Sequence, residues 1–282
     1  MENTIITITA ESINDFKDWL RSEERSEGTA IKYARDLRQL SAWLANRHMT
    51  RESLTKWKEQ LIADGLEPVT INSKLAAVNT YCRYLGLNLK IKFLRIQRSL
   101  FREESRELKK HEYERLIAAA ASQGDGRLTL LMETIASTGI RVSEVRYITV
   151  ESAKAGRAQI TLKGKIRVIL LPGRLCKKLL RYARQNKIAS GEIFITKGGG
   201  SMSRKQIWAQ MKALCRAAGV AASKVFPHNL RHLFARLFYK VTRDVAKLAD
   251  LLGHSSIETT RIYLVSTGEE HARELDGLGL VK

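Results

Sequence analysis

Acidic side chains are scarce in this chain. Its 282 residues hold 29 Asp and Glu against 49 Lys and Arg, a formal charge of +20. A polyanion is the expected partner, because counterion release from nucleic-acid phosphates supplies much of the binding free energy. Cysteine is scarce too. Cys82, Cys176 and Cys215 lie far apart and are odd in number, which predicts reduced thiols in a cytoplasmic protein and no metal site built on their spacing. No run approaches the roughly 18–20 unbroken apolar residues of a membrane helix. Met1–Ala10 carries acid and polar residues in place of a basic start and an apolar core, so neither a signal peptide nor a membrane partner is expected. No carboxylate cluster of the kind that holds magnesium is visible, and no metal or cofactor is expected. Internal repeats and low-complexity segments are absent as well.

What is present is an ordinary globular composition, 44% apolar, in a length suited to one large domain or two smaller ones. Composition alone leaves DNA and RNA open, a ribosomal or RNA-binding protein included. Residues 11–86 read as four amphipathic helices. Ile13, Phe16 and Leu20 mark the first. The second follows Thr29 as cap, with Tyr33, Leu37, Leu40 and Leu44 on one face and Lys32, Arg35 and Arg38 on the other. Thr50 caps the third, with Leu54, Trp57 and Leu61 inside and Gly65 as its stop. The fourth follows Pro68 and the cap Thr70, carries Ile71, Leu75, Val78 and Cys82, and ends at Gly86. Residues 1–88 are therefore expected to form a helical DNA-binding domain, with Lys32, Arg35, Arg38 and Lys74 as candidate DNA contacts.

Residues 89–107 read as an extended basic linker carrying Lys90, Lys92, Arg95, Arg98 and Arg102. Such a strip either follows a phosphate backbone, with Arg95 a candidate contact, or is a solvated connector. A second domain, 108–282, opens with helices around Tyr113–Ile117 and Leu128–Ser137. The period then changes. Gln159–Leu162 and Arg167–Leu171 read as strands of a hairpin turning at Lys163-Gly164-Lys165 and closed by Pro172, and Glu192–Thr196 as a third strand. Helices return around Met211, over Arg231–Tyr239 and over Val245–Leu252. The fold class is mainly α with a small β-sheet.

Three short stretches bear chemistry. In Pro227-His228-Asn229-Leu230-Arg231-His232, His228 and Arg231 share a face at a helix start, where a phosphate meets backbone N–H groups, a guanidinium and an imidazole together. In Thr138-Gly139-Ile140-Arg141-Val142-Ser143-Glu144, Gly139 ends a helix and Glu144 reaches back to orient Arg141, whose fork suits two phosphate oxygens. A structural Arg–Glu pair accounts for the same spacing. In the third stretch, Gly253 ends a helix, His254 follows, and Tyr263 lies nine residues on, after Thr259-Thr260-Arg261-Ile262.

Taken together, Arg141, Lys163, His228, Arg231, His254 and Tyr263, within TGIRVSE, HNLRH, LLGH and TTRIY, resemble the tyrosine recombinase family. They look like its integrase and Xer-type members. The resemblance covers nearly the whole chain, since a helical core-binding domain ahead of a mixed catalytic domain is the family's layout. It implies strand exchange through a 3′-phosphotyrosyl link made by Tyr263, with His228 as its base. Arg141, Arg231 and His254 would stabilise the phosphorane. Lys163 on the hairpin would protonate the 5′-oxygen, and Glu144 and His232 would support them. The hairpin is about a residue shorter than in Xer-like members. Lys163 follows the strand directly and is the better match, with Lys165 the rival or a DNA contact.

The resemblance further implies a Holliday junction between two double-stranded recombination sites held by a homotetramer, in the cytoplasm on the nucleoid. It also implies a terminal helix, Glu269–Leu275, that docks on a neighbouring protomer, the alternative being a cap on its own domain. The length leans toward a Xer-like or cointegrate-resolving role over a larger phage integrase. A type IB topoisomerase-like relaxase and an inactive DNA-binding regulator are the competing functions. Of the other candidates, Tyr239 is expected in the core and Tyr182, within the basic stretch Lys177–Arg184, on a solvated helix or against the DNA backbone. His48, His111 and His271 are expected at the surface.

Overall fold

A computed structural model describes residues 7–45, 47–96, 104–162, 165–254, 256–264 and 276–280, with 104, 162, 165 and 261–264 described through their backbone alone. The apolar spacing of the N-terminal segment closes into four helices: α1 (Ala10–Ser22), α2 (Glu27–Leu44), α3 (Arg51–Ala63) and α4 (Pro68–Tyr84). Phe16 and Leu20 of α1, Leu37 and Leu40 of α2, Leu54 of α3 and Leu75 of α4 are completely buried in one cluster. Each such side chain contributes roughly 1.5–3 kcal/mol of transfer free energy. Two helix starts differ from expectation. Ser26, not Thr29, caps α2, its hydroxyl accepting from the Thr29 N–H at 3.3 Å. The fourth helix begins at Pro68 itself, ahead of Thr70, because proline at the first helical position presets φ and loses no hydrogen bond.

Residues 89–96 of the strip expected as a linker form neither helix nor strand but are bound to the first unit as far as Leu94, and Glu104–Arg106 is a short 3-10 turn. Asn79 donates to the Ile91 carbonyl (3.0 Å) and accepts from its N–H (2.8 Å). Asn72 does the same with Leu94 at 2.9 and 2.8 Å. Two amides on one face of α4 thus satisfy backbone groups that secondary structure leaves unpaired. Arg98 and Arg102 lie outside the described residues. By its contacts the chain divides into two compact units, Met1–Arg98 and Ser99–Lys282.

The second unit is built around α6 (Gly126–Thr138), whose Leu131, Met132 and Ile135 are fully buried. Around it lie α5 (Lys110–Ser122), a 3-10 segment (Val142–Tyr147), α7 (Val150–Ala155) and α8 (Gly173–Gln185). They are followed by α9 (Arg204–Ala213), α10 (Cys215–Ala218), α11 (Pro227–Thr242), α12 (Val245–Leu252) and α13 (Ile257–Leu264). Between α7 and α8 runs the antiparallel hairpin of β1 (Arg157–Leu162) and β2 (Lys165–Leu170), with Leu162 opposite Lys165. Its turn, Lys163-Gly164, lies outside the described residues. Ala158, Ile160 and Ile169 point into the core, while Ile166, Val168 and Leu170 face outward, the alternation a half-buried ribbon demands. No third strand forms among the described residues at Glu192–Thr196. Isolated bridges Thr149–Glu192 and Ile195–Ser201 flank Ile193 and Phe194, which plug the core instead. The expected helix at Glu269–Leu275 lies outside the described residues.

Candidate active site

The positions of the three motifs follow from their turns. Gly139 ends α6 in the left-handed region (φ +66°), and a Cβ there would lie 2.5 Å from the Phe234 ring of α11. Both the conformation and the packing require glycine. The chain then turns at Arg141 into the 3-10 segment. Glu144, 2% exposed, accepts from the Arg141 backbone N–H at 2.8 Å and from its Nη1 at 3.0 Å. The expected reach-back is therefore present.

Arg231, in the second turn of α11, is 1% exposed. Its Nη1 donates to the Gly139 carbonyl at 2.5 Å, and its Nη2 lies 2.8 Å from both the Leu252 carbonyl and His254 Nε2. A helix start, the end of α6 and the end of α12 thus meet at one guanidinium. A guanidinium only donates, so His254 Nε2 accepts. Its Nδ1 therefore carries the proton and donates to Thr260 Oγ1 at 2.8 Å. Burial, then Arg231, Arg141, Arg167 and His228, push His254 down to about 4, so the ring is neutral at pH 7. His228 is exposed, its ring edge-on to the buried His232 with centroids 4.6 Å apart. Tyr263 occupies the last turn of α13, the helix that also carries Thr260. Its side chain, like those of Lys163 and Lys165, is outside what the structure describes.

Sequence reasoning missed two members of this network. Arg167 of β2 donates Nη2 to Glu144 at 2.8 Å and Nη1 to the Leu252 carbonyl. Burial, opposed by Glu144 and reinforced by Arg231 and Arg141, brings it down to about 10. The alternation that turns Ile169 inward also turns Arg167 inward, so the signal was present in the strand pattern. Thr260 is completely buried, and its two-residue threonine motif gave no hint of a histidine partner.

In the N-terminal unit, Asp36 of α2, 1% exposed, gathers the candidate DNA contacts. Lys32 lies 2.5 Å from it, Arg35 3.7 Å and Lys74 3.8 Å. Arg38 and Arg95 are exposed. Tyr182 is half-buried against the core of its unit rather than solvated, which raises its pKa. Tyr239 packs beside Ala235, Leu248 and Leu252, while His48 and His111 are exposed. His271 lies outside the described residues. No helix among the described residues is long and apolar enough to cross a membrane.

The helix that carries Tyr263 thus supplies the Thr260 hydroxyl beside His254, whose other ring nitrogen meets Arg231. Residues 106–270 match the phage integrase family and residues 13–87 its N-terminal SAM-like domain. The chain belongs to the phage integrase family, the tyrosine recombinases, enzymes that cut and rejoin DNA. It is 29% identical to the tyrosine recombinase XerA of Pyrococcus furiosus over 95% of this chain and 93% of that one. In fold it resembles the XerH site-specific recombinase bound to a palindromic difH substrate (TM-score 0.75, 17% identity, 95% of this chain and 84% of that one). It also resembles a lambda integrase tetramer bound to a Holliday junction (TM-score 0.72, 18% identity, 93% and 78%).

Proposed function

We propose that this enzyme recombines two specific duplex sites as a homotetramer, through a 3′-phosphotyrosyl intermediate and a Holliday junction, in a Xer-like or cointegrate-resolving role on cytoplasmic DNA. The observation that carries this reading is the convergence on Arg231 of backbone and side chains from three motifs far apart in sequence. Solved relatives holding difH DNA and a Holliday junction support it.

Tyr263 is the nucleophile, and its oxygen attacks phosphorus. An unperturbed phenol titrates near ~10, so a base is needed at neutral pH, and the exposed His228, braced by His232, takes that proton. Arg141 and Arg231 stabilise the charge on the equatorial oxygens. They are held in place before reaction, so no reorganisation is paid for in the transition state. A phosphate that recruits Arg231 Nη2 takes that donor from His254 Nε2. Moving the ring proton to Nε2, with the Thr260 hydroxyl donating to Nδ1, then lets His254 donate to the phosphate as well. A hairpin lysine, Lys163 ahead of Lys165, protonates the departing 5′-oxygen. Lys32, Arg35, Arg38, Lys74 and Arg95 hold the backbone of the duplex, and a terminal segment links protomers.

The test is covalent trapping. A binding site is selected from random duplexes by the protein itself, then synthesised with a nick that lets the cleaved end diffuse away. Wild-type protein yields an adduct on a denaturing gel and Tyr263→Phe yields none. An undiminished adduct with Tyr263→Phe would sink the mechanism. Relaxation of plasmids lacking the site, at a rate matching cleavage, would favour a topoisomerase.

A further inference from the structure

Arg167 stands outside the set that the sequence marked. It lies on β2, two residues beyond Lys165 and four beyond Lys163. Its guanidinium leaves the hairpin and bonds Glu144 and the Leu252 carbonyl. Glu144 is the acid that holds Arg141, and the Leu252 carbonyl also accepts from Arg231. One side chain of the hairpin is thus bonded to the anchors of both arginines.

Among the described residues the hairpin has few other holds on the side of its turn. Ala158, Ile160 and Ile169 anchor its base in the core, while Ile166, Val168 and Leu170 are 66%, 54% and 64% exposed. Towards the turn the inward contacts become polar. They are Arg167 and the Tyr147 hydroxyl, which donates to the Thr161 carbonyl at 2.8 Å. An apolar side chain at position 167 would fill the same place without burying a charge, and buried ion pairs rarely add stability over apolar isosteres. Arg167 is instead a cation with only 15% of its side chain exposed, beside two others, and its Nε has no hydrogen-bond partner among the described residues. The backbone also makes room for it. Gly253 has φ +63°, and a Cβ there would overlap the Arg167 side chain.

We propose that Arg167 is a positioning residue that locks the lysine-bearing hairpin onto the phosphate site, so that proton delivery to the 5′-oxygen depends on it. This rests on the reading of a hairpin lysine as general acid. In that step the Tyr263 oxygen bonds to phosphorus and its proton passes to His228. The bond from phosphorus to the 5′-oxygen breaks, and the lysine ammonium gives that oxygen a proton. In a 5′-bridging phosphorothiolate, sulfur replaces the leaving oxygen, and a thiolate whose conjugate acid titrates near ~8.5 leaves without protonation.

The full-length chain is compared on the selected nicked duplex with either linkage. Arg167→Ala is expected to cut the phosphodiester at least about 10²-fold more slowly, yet the phosphorothiolate within about fivefold of wild type. Arg141→Ala is expected to stay slow on both. Rescue of Lys163→Ala or Lys165→Ala without rescue of a folded Arg167→Ala would overturn the proposal and leave the general-acid reading standing. Rescue of neither lysine variant would overturn both. Should thermal melting show Arg167→Ala unfolded, Arg167→Lys decides the matter, because an ammonium keeps the charge but cannot span both acceptors. A slow phosphodiester reaction rescued by sulfur supports the lock. Unimpaired phosphodiester cleavage, or a slow reaction without rescue, overturns it.

Discussion

Both units bury a carboxylate among several cations, Asp36 in one and Glu144 in the other, and the two do so differently. Asp36 in the helical unit is 1% exposed and Glu144 in the catalytic unit 2%. Around Asp36, Lys32 lies at hydrogen-bond distance, while Arg35 and Lys74 stand 3.7 and 3.8 Å away on long stems. Around Glu144, two guanidiniums are bonded at 2.8–3.0 Å, and Arg167 is fixed a second time to a backbone carbonyl. The first arrangement gathers three cations at one acid, with Lys32 also bonded to the Ser73 carbonyl and Lys74 to Gln39, which concentrates positive charge without aiming any two donors at one point. The second fixes donor directions before any substrate arrives. A transition state needs that rigidity because its charge appears and vanishes within the reaction.

The largest effect that would sharpen this contrast is expected from Glu144→Gln. The neutral amide keeps the shape but loses the charge facing Arg141 and Arg167, and turns one donor toward another. Single-turnover cleavage at saturating DNA should fall about 10²-fold. Chemical denaturation should show stability lowered by about 3 kcal/mol, as when one partner of a buried ion pair is removed. Cleavage within threefold of wild type would mean that Arg141 is held by its backbone turn alone.

How far this site was legible depends on how local each contact is. Arg141–Glu144 is three residues long and could be read from TGIRVSE. The bonds from Arg231 to the Gly139 carbonyl, 92 residues back, and from Arg167 to Glu144, 23 residues back, depend on where α6, α11 and β2 pack. A backbone carbonyl as acceptor leaves no trace in residue type. The helices of the first unit were legible from apolar spacing, and the Thr50 cap of α3 with them, but the starts of α2 and α4 were not. Ser26 and Thr29 are both able to cap, so residue type does not choose between them. The binding of residues 89–94 by Asn72 and Asn79 was hidden for the same reason as the carbonyl contacts.

A middle-sized effect is expected in the helical unit. Asp36→Asn removes the acid that gathers Lys32, Arg35 and Lys74 but removes no cation. Binding should weaken by several-fold through lost alignment, with the salt dependence of affinity unchanged and cleavage at saturating DNA within threefold of wild type. Lys32→Ala, by contrast, should lower the slope of log affinity against log salt by about one. Titration of a labelled duplex at several salt concentrations measures both. If Asp36→Asn slowed saturated cleavage as much as Glu144→Gln, the distinction between a gathered surface and a preorganised site would fail.

The smallest effect concerns proton linkage. Burial and its arginine neighbours hold His254 near about 4, whereas an unfolded histidine titrates near ~6.5. Between those values the unfolded chain binds a proton that the folded chain refuses, so stability rises with pH across that window. The contribution is complete above ~6.5 and is lost as pH falls toward 4. The ring is partly exposed, so solvent screening should reduce the difference to about 1 kcal/mol. His254→Gln abolishes the titration while keeping an acceptor for Arg231. Its unfolding free energy should therefore fall less than that of wild type between pH 7 and pH 4.5, measured by urea denaturation at each. An equal fall in both proteins would show that burial and the arginine cluster do not hold His254 neutral. The preorganised site would then be electrostatically no more demanding than the cluster around Asp36.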